Sequence, residues 1–287
     1  MRSTATVLVT GASSGIGRAT ALDLVDHGFD VLAGVRTDGA AASLADESGG
    51  RIRPVRLDVT DPDTIEHAAE EVAEVSGGHL GALVNNAGIP SVGPLELVPL
   101  HRFREVLETN VIGQVAVTQA MLPMVRRTRG RVVFISSLSG RAAMPFLGPY
   151  AASKHAVEAV ADSWRRELAA HGVRVSVVEP GNIATPIWDK GLDPALIEEL
   201  GPEAGRLYGP GIDFALAMGR RSAQGAVPAD RVAAVVRRAL TSRRPRARYV
   251  VGIDAAVATR LARHTPRLLD RMVAAAMARD ARKGSAH

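Results

Sequence analysis

The segment that limits the fold most is Thr10-Gly11-Ala12-Ser13-Ser14-Gly15-Ile16-Gly17. An apolar, β-branched run from Ala5 to Val9 leads into it, and apolar residues at helical spacing (Ala19, Leu22, Val25) lead out. Strand, glycine turn and helix start, in that order, aim free backbone N–H groups and a positive dipole end at one point. Such a point suits a pyrophosphate. Gly11, Gly15 and Gly17 permit the close approach that a Cβ would block. The spacing is Gly-x3-Gly-x-Gly rather than the commoner Gly-x-Gly-x-x-Gly of dinucleotide sites. A turn that merely reverses the chain would use the same residues.

Downstream, apolar runs and amphipathic stretches alternate as in a doubly wound parallel sheet. Strands are expected near 5–10, 29–35, 51–57, 80–85, 130–136, 173–178 and 247–251. Helices are expected near 15–27, 38–47, 61–75, 100–127, 150–170 and 228–241. The fold class is therefore α/β, a Rossmann-type sheet of about seven strands with helices on both faces and a C-terminal helical extension. No internal repeat or linker interrupts it. Residues 1–253 are expected to form one domain and 254–287 an extension. Prolines 186, 194, 202 and 210, with interspersed glycines, make about 182–227 an insertion, whose strongest helical piece is Pro194–Leu200. A static surface loop and a lid over substrate both fit that punctuation.

Three further segments carry chemistry. Asn85-Asn86-Ala87-Gly88 ends the apolar run Leu80–Val84, where ligands of open α/β sheets sit, although the same four residues make an ordinary turn. Val132–Ile135 ends in Ser136 and Ser137, hydroxyls that could face a substrate carbonyl or simply satisfy the strand end. Tyr150 and Lys154, four residues apart, leave the same face of a helix. A cation so close favours the phenolate and is expected to lower the phenol's pKa, making a proton donor and acceptor near neutral pH. Alone the pair is weak evidence; the order of all four segments is not.

That order resembles the short-chain dehydrogenase/reductase family from about Val7 to Val251, most closely its hydroxysteroid and retinol dehydrogenase branch. The branch likeness lies in Val35-Arg36 and in Ser163-Trp-Arg-Arg-Glu-Leu168 followed by Val173–Gly181. The resemblance implies catalysis by Asn110, Ser137, Tyr150 and Lys154. Tyr150 would be general acid or base, Lys154 would tune it and hold ribose hydroxyls, Ser137 would hold the substrate oxygen, and Asn110 would order a water beside Lys154. Cofactor contacts are implied at Gly11, Ser13, Ser14, Gly15, Ile16 and Gly17, and at Arg36, Asp58 and Val59 on the adenosine side. Asn86, Ala87 and Gly88 follow after the fourth strand, and Tyr150, Lys154, Pro180, Gly181, Ile183 and Thr185 surround the nicotinamide. The activity implied is hydride transfer between a nicotinamide and a carbonyl or secondary alcohol. Competing readings are a 3-oxoacyl-carrier-protein reductase and a nucleotide-sensing scaffold without turnover.

Cofactor choice depends on the end of the second strand. Gly34 stands at the family's acidic position and Arg36 lies two residues on, which favours NADP(H), with NAD(H) as the alternative. Apolar Met144–Leu147 and Ile183–Trp188 point to a hydrophobic substrate. The absence of Cys excludes disulfides, thiolate catalysis and thiolate metal sites, and no compact metal-ligand spacing occurs. With 46% hydrophobic residues, no apolar run long enough to span a bilayer and no room for a signal peptide before the first strand, a cytoplasmic enzyme is expected.

From Arg237 onward there are 13 Lys and Arg against 3 acidic residues, giving this tail +10 where the whole chain carries +5. Leu268, Leu269, Met272, Val273 and Ala276 are expected on one helical face there. Packing on the parent domain or a partner subunit is favoured over contact with an anionic membrane surface. No nucleic-acid motif appears. The resemblance also implies a homodimer or homotetramer joined through the helices near 100–127 and 150–170.

Overall fold

Alternate residues of the first strand, Thr6–Val9 (β1), serve two different cores. Val7 and Val9 pack with Leu24, Val232 and Val236, whereas Leu8 packs with Leu83, Met121 and Phe134 on the opposite side. A strand buried on both faces needs a continuous apolar run, which Ala5–Val9 supplies. The computed structural model describes residues 5–184, 198–224, 227–252 and 264–284.

The remaining strands of the main sheet are Asp30–Val35 (β2), Ile52–Arg56 (β3), Ala82–Asn85 (β4), Arg131–Ile135 (β5) and Arg174–Pro180 (β6). After β6 come two short strands, Ile183–Ala184 (β7) and Val227–Pro228 (β8), and then Arg248–Val251 (β9), which closes the main sheet. The order is β3-β2-β1-β4-β5-β6-β9, with every pair parallel. Strand order reverses between β1 and β4. Beyond the carboxyl ends of those strands lies the crevice that such sheets use for ligands.

Helices cover both faces. Gly15–Asp26 (α1) and Asp38–Glu47 (α2) lie on the Val7 side. Pro62–Ser76 (α3) lies on the Leu8 side. Its ends show the local rules at work: Asp61 accepts from the Asp63 N–H, Pro62 opens the helix, and Gly77 closes it at φ 59°.

The long helix expected near 100–127 is three pieces. Leu100–Leu107 (α4) and Gly113–Arg127 (α5) flank a π-helical turn over Glu108–Ile112. The wider turn holds the buried Asn110, and apolar periodicity cannot tell it from an α-helix. Gly113 meets the Val59 carbonyl so closely that a Cβ would lie 2.5 Å from it. Gly148–Glu167 (α6) completes the Leu8 side with α5.

Two differences concern the C-terminal third. Where only a punctuated insertion was expected, Pro202–Gln224 (α7) is helical despite Pro210. β7 pairs with β8, so the insertion departs and returns at neighbouring points. The expected helix at Pro194–Leu200 falls mostly outside the described residues. Ala229–Thr241 (α8) packs on α1, and Pro266–Gly284 (α9) packs on α7. On α9 the expected apolar face divides. Leu269, Val273 and Ala276 are partly buried, but Leu268 and Met272 are exposed, because one neighbouring helix covers a narrower arc than the five residues span.

Candidate active site

The glycine loop is built by contacts that leave no space for side chains. A Cβ on Gly17 would lie 2.3 Å from the Gly11 carbonyl oxygen and 2.4 Å from Asn86 Nδ2; one on Gly11, at φ 63°, would lie 2.8 Å from Ala87 Cα. Asn86 Nδ2 donates to the carbonyls of Thr10 (3.0 Å) and Gly11 (3.1 Å). Thr10 Oγ1 in turn accepts from the backbone N–H groups of Asn86 and Ala87, each at 3.0 Å. The first and fourth strands thus grip each other where strand order reverses. Ser14 precedes α1 without a side-chain cap, leaving the helix start to offer its N–H groups outward.

A cleft runs from this loop along the strand ends. Gly11, Ser13, Ser14, Gly15 and Ile16 form one wall; Asn86, Ala87 and Gly88 form the next. Arg36, Asp58 and Val59 lie at its far end, where Arg36 Nη1 stands 3.9 Å from Asp58 Oδ2 and remains largely exposed. Asp58 Oδ1 is held by the N–H and hydroxyl of Thr60 at 3.0 and 2.8 Å. Every described residue expected to touch a cofactor lines this cleft or the next, except Gly17, which supports it from beneath. Thr185 lies outside the described residues. Sequence reasoning missed Val35, Leu57, Ile89 and Thr109, which also face the cleft; each directly adjoins a segment that it did single out. A side chain at Gly34 would meet Leu57 Cδ2 at 3.0 Å, so Val35 and Arg36 decide what meets a ligand there.

The second pocket adjoins the first through Ile16, Asn86 and Gly88. Ser136 and Ser137 enter it from the end of β5, Tyr150 and Lys154 from α6, and Pro180, Gly181 and Ile183 from the end of β6. Gly140 lets these walls meet, since a Cβ there would lie 2.6 Å from Ser136 Oγ and 3.0 Å from the Lys154 carbonyl oxygen. Ser137 Oγ accepts from the Ser139 N–H at 3.1 Å and hydrogen-bonds Tyr150. Lys154 Nζ donates to the Ile135 carbonyl at 2.9 Å and sits 5.7 Å from the Tyr150 ring centre.

Asn110 is buried and fully committed. Its Nδ2 donates to the Ile89 carbonyl and Ser153 Oγ, both at 2.9 Å, and its Oδ1 accepts from the Ile89 N–H at 2.7 Å. Ser153 Oγ donates to the Tyr150 carbonyl at 2.7 Å, so Asn110 ties the strand-end loop to α6. A Cβ on Gly88 would lie 3.1 Å from Asn110 Oδ1 and 3.7 Å from Lys154 Nζ, which places these three groups around one small space.

Electrostatics correct one expectation. Burial pushes the Tyr150 phenol up, and only the Ser137 hydrogen bond opposes it. The Lys154 ammonium, bonded to the Ile135 carbonyl and 5.7 Å from the ring centre, does not outweigh that burial. Burial lowers Lys154 to about 8 against the pull of Glu158, so the pair holds an unusually acidic ammonium beside an unusually basic phenol.

The cradle fits a dinucleotide: closely approachable glycine backbone, an uncapped helix start and a proton-transferring pair beyond it. The family model for short chain dehydrogenase matches residues 5–194. Retinol dehydrogenase 5 of Mus musculus is 38% identical over 262 residues, 88% of this chain and 82% of that protein. An NADPH-dependent 3-dehydrocapnine reductase of Ornithobacterium rhinotracheale is 36% identical over 253 residues, covering 85% and 87%. A short-chain dehydrogenase/reductase from Burkholderia phymatum, solved in complex with NAD, superposes with TM-score 0.79 at 25% identity over 92% of this chain and 95% of its own. The chain belongs to the short-chain dehydrogenase family, on its retinol- and hydroxysteroid-dehydrogenase-like side, and is a nicotinamide-dependent oxidoreductase of CH–OH groups.

Proposed function

We propose that this enzyme uses NADP(H) to interconvert a hydrophobic ketone and its secondary alcohol at Tyr150. The observation that carries this reading is the convergence of Ser137, Tyr150 and Lys154 in a pocket continuous with the glycine-loop cleft. The bound nicotinamide supplies or accepts the hydride. In reduction the Tyr150 hydroxyl gives its proton to the substrate oxygen; in oxidation it takes one back. Ser137 holds that oxygen by the hydroxyl that already reaches Tyr150. The Lys154 ammonium offers the counter-charge for the phenolate left after donation, and Asn110 holds the backbone at Ile89 and α6 in register around it. Gly11, Ser13, Ser14, Gly15, Ile16 and Gly17, with Asn86, Ala87 and Gly88, hold the phosphates and the adjoining sugar. Val59 packs at the adenosine end, and Pro180, Gly181 and Ile183 close the nicotinamide end.

Arg36 supports the choice of NADP(H): it is largely exposed at the cleft's far end, where a 2′-phosphate would sit, and no acid stands at Gly34 or Val35. Exposed apolar groups on the segments before Tyr150 and on α7 support a hydrophobic substrate. Leu95 is 59% exposed beside Gly148, Leu207 is 48% exposed on α7, and Phe146 stacks edge-on to Tyr208 at 6.4 Å. Assembly through α5, α6 and the half-exposed Ile112 at the π turn belongs to the same proposal, as does the division at residue 253. No helix among the described residues is long and apolar enough to cross a membrane.

Titrating purified protein with NADPH and NADH, followed by reduced-nicotinamide fluorescence, tests the cofactor. Tight NADPH and weak NADH binding is expected, and an NADH preference overturns the Arg36 argument. Turnover of bulky ketones by Tyr150→Phe is expected to fall about 10³-fold with nucleotide binding intact. Near-normal turnover would remove Tyr150 from the chemistry.

A further inference from the structure

Behind Lys154 lies a cluster of ions, built on two buried carboxylates, that the proton transfer at Tyr150 does not itself require. Glu158 leaves α6 one turn after Lys154, on the same face, and is almost wholly buried. Its Oε2 accepts from Arg248 Nε of β9 at 3.0 Å. The same guanidinium reaches Asp162 Oδ1 at 3.0 Å and Glu179 Oε1 at 3.2 Å. Glu179, 2% exposed, ends β6 immediately before Pro180 and Gly181, and Arg141 Nε lies 3.3 Å from its Oε1. Arg141 directly follows the short turn that begins after Ser137.

One cluster therefore stands behind three of the segments that line the pocket: Arg141 follows the Ser137 turn, Glu158 lies one helical turn beyond Lys154, and Glu179 directly precedes Pro180. Buried charges persist only when paired, and removing one partner is costly. Lys154 itself faces Tyr150 and Glu158 on α6, the Ile135 carbonyl on β5, and Asn110 across Gly88. Among these groups Glu158 is the only carboxylate. Glu179, Arg141, Arg248 and Asp162 surround Glu158 from β6, the Ser137 turn, β9 and α6.

We propose that Glu158 is a positioning residue that acts through Lys154, supplying the fixed negative charge that keeps this lysine an ammonium in a water-poor site, while the Arg141–Glu179–Arg248 pairs hold that carboxylate in place. The inference rests on the proposed role of Lys154. Burial alone works against the ammonium, and Glu158 is the group that opposes it. Without that charge Lys154 would be neutral over part of the working range and could not balance a Tyr150 phenolate.

Only three lysines occur in the chain, at 154, 190 and 283, against 32 arginines, so Lys154 can be titrated directly in the apoprotein by NMR of lysine labelled with ¹³C at the ε carbon. Lys154→Arg identifies its signal. In the wild type this signal is expected to titrate near pH 8. In Glu158→Gln the midpoint is expected to fall by about one pH unit, a tenfold loss of proton affinity, while Glu158→Asp restores most of it. Glu179→Gln keeps the Glu158 charge, so its midpoint is expected to stay close to that of the wild type and well above that of Glu158→Gln.

A merely structural role would lower the melting temperature and leave the Lys154 midpoint where it was; an unmoved midpoint in Glu158→Gln overturns the proposal. If that variant does not fold, a fall in Glu179→Gln as large as the roughly one unit expected of Glu158→Gln overturns it instead. Loss of turnover in Tyr150→Phe together with an unmoved Lys154 midpoint would reject this inference alone. Near-normal turnover in Tyr150→Phe would reject the underlying reading whatever the lysine does.

Discussion

The cofactor half and the substrate half of the pocket are built by different means. Around the glycine loop, backbone meets backbone: Gly11 lies against Ala87, Gly17 against Gly11, and Gly113 against Val59. Around the proposed substrate approach, side chain meets side chain: Phe146 against Tyr208, Leu95 over Gly148, and Leu200 near Gly93. Even the closest contact there, Gly211 of α7, faces a ring, with a Cβ placed 2.2 Å from Phe146 Cζ. Backbone contacts cannot be exchanged by substitution, whereas ring and leucine contacts can. The conserved element of the reaction, a nicotinamide, thus meets the part of the protein that is hardest to vary, and the proposed variable partner meets the part that varies most easily.

The sharpest test of this contrast is Gly17→Ala. The added methyl meets a carbonyl and an amide that are themselves locked, so a loss of about 1–3 kcal/mol in stability and at least tenfold weaker nucleotide binding are expected. Wild-type affinity by fluorescence titration would break the comparison. Gly211→Ala should act on the other half only. The Phe146 ring, carried by a residue at φ 66°, must shift, and a several-fold change in ketone KM with unchanged NADPH affinity is expected. If nucleotide affinity changed equally, the two halves would not be separable.

The smallest expected effect concerns Glu179, which directly precedes Pro180 and Gly181 of the pocket. Burial and the neighbouring Glu158 push its carboxyl up to about 7, so the fold favours the neutral form. That contribution is complete below the ordinary carboxylate range and is lost as pH rises towards 7. Glu179→Gln removes the titration. Its melting temperature relative to the wild type is therefore expected to improve between pH 5 and pH 8, as scanning calorimetry at both pH values would show. A difference that stayed constant with pH would mean that Glu179 remains ionised throughout.

Legibility in the sequence follows the same division. β1, β2, β4 and β5 were readable because each is a short, largely apolar run, and Gly11 and Gly17 because only glycine fits where backbones touch. Tyr150 and Lys154 were readable because helical spacing alone brings them to one face. The π turn at Glu108–Ile112 was not, since one extra residue per turn leaves the apolar pattern of α4 and α5 intact. α7 was hidden by its own Gly205, Gly209, Pro210 and Gly211, which local propensity counts against a helix and which packing on Phe146 and α9 overrides. The rise of the Tyr150 phenol depends on burial, a property of the folded chain. Likewise, the link from Arg141 through Glu179 and Arg248 to Glu158 joins residues far apart in sequence.

The small β7–β8 ladder has a consequence for how such an enzyme can change. Because Ile183–Ala184 and Val227–Pro228 lie side by side, the stretch between them is an excursion whose two ends are paired with each other. The entropy of closing a loop grows only slowly with its length. The excursion can therefore lengthen, shorten or be replaced outright while the sheet feels nothing beyond two paired residues at each end. On the proposed reading that this excursion borders the substrate, that joint lets substrate range change as an exchangeable cassette, without renegotiating the machinery that handles the hydride.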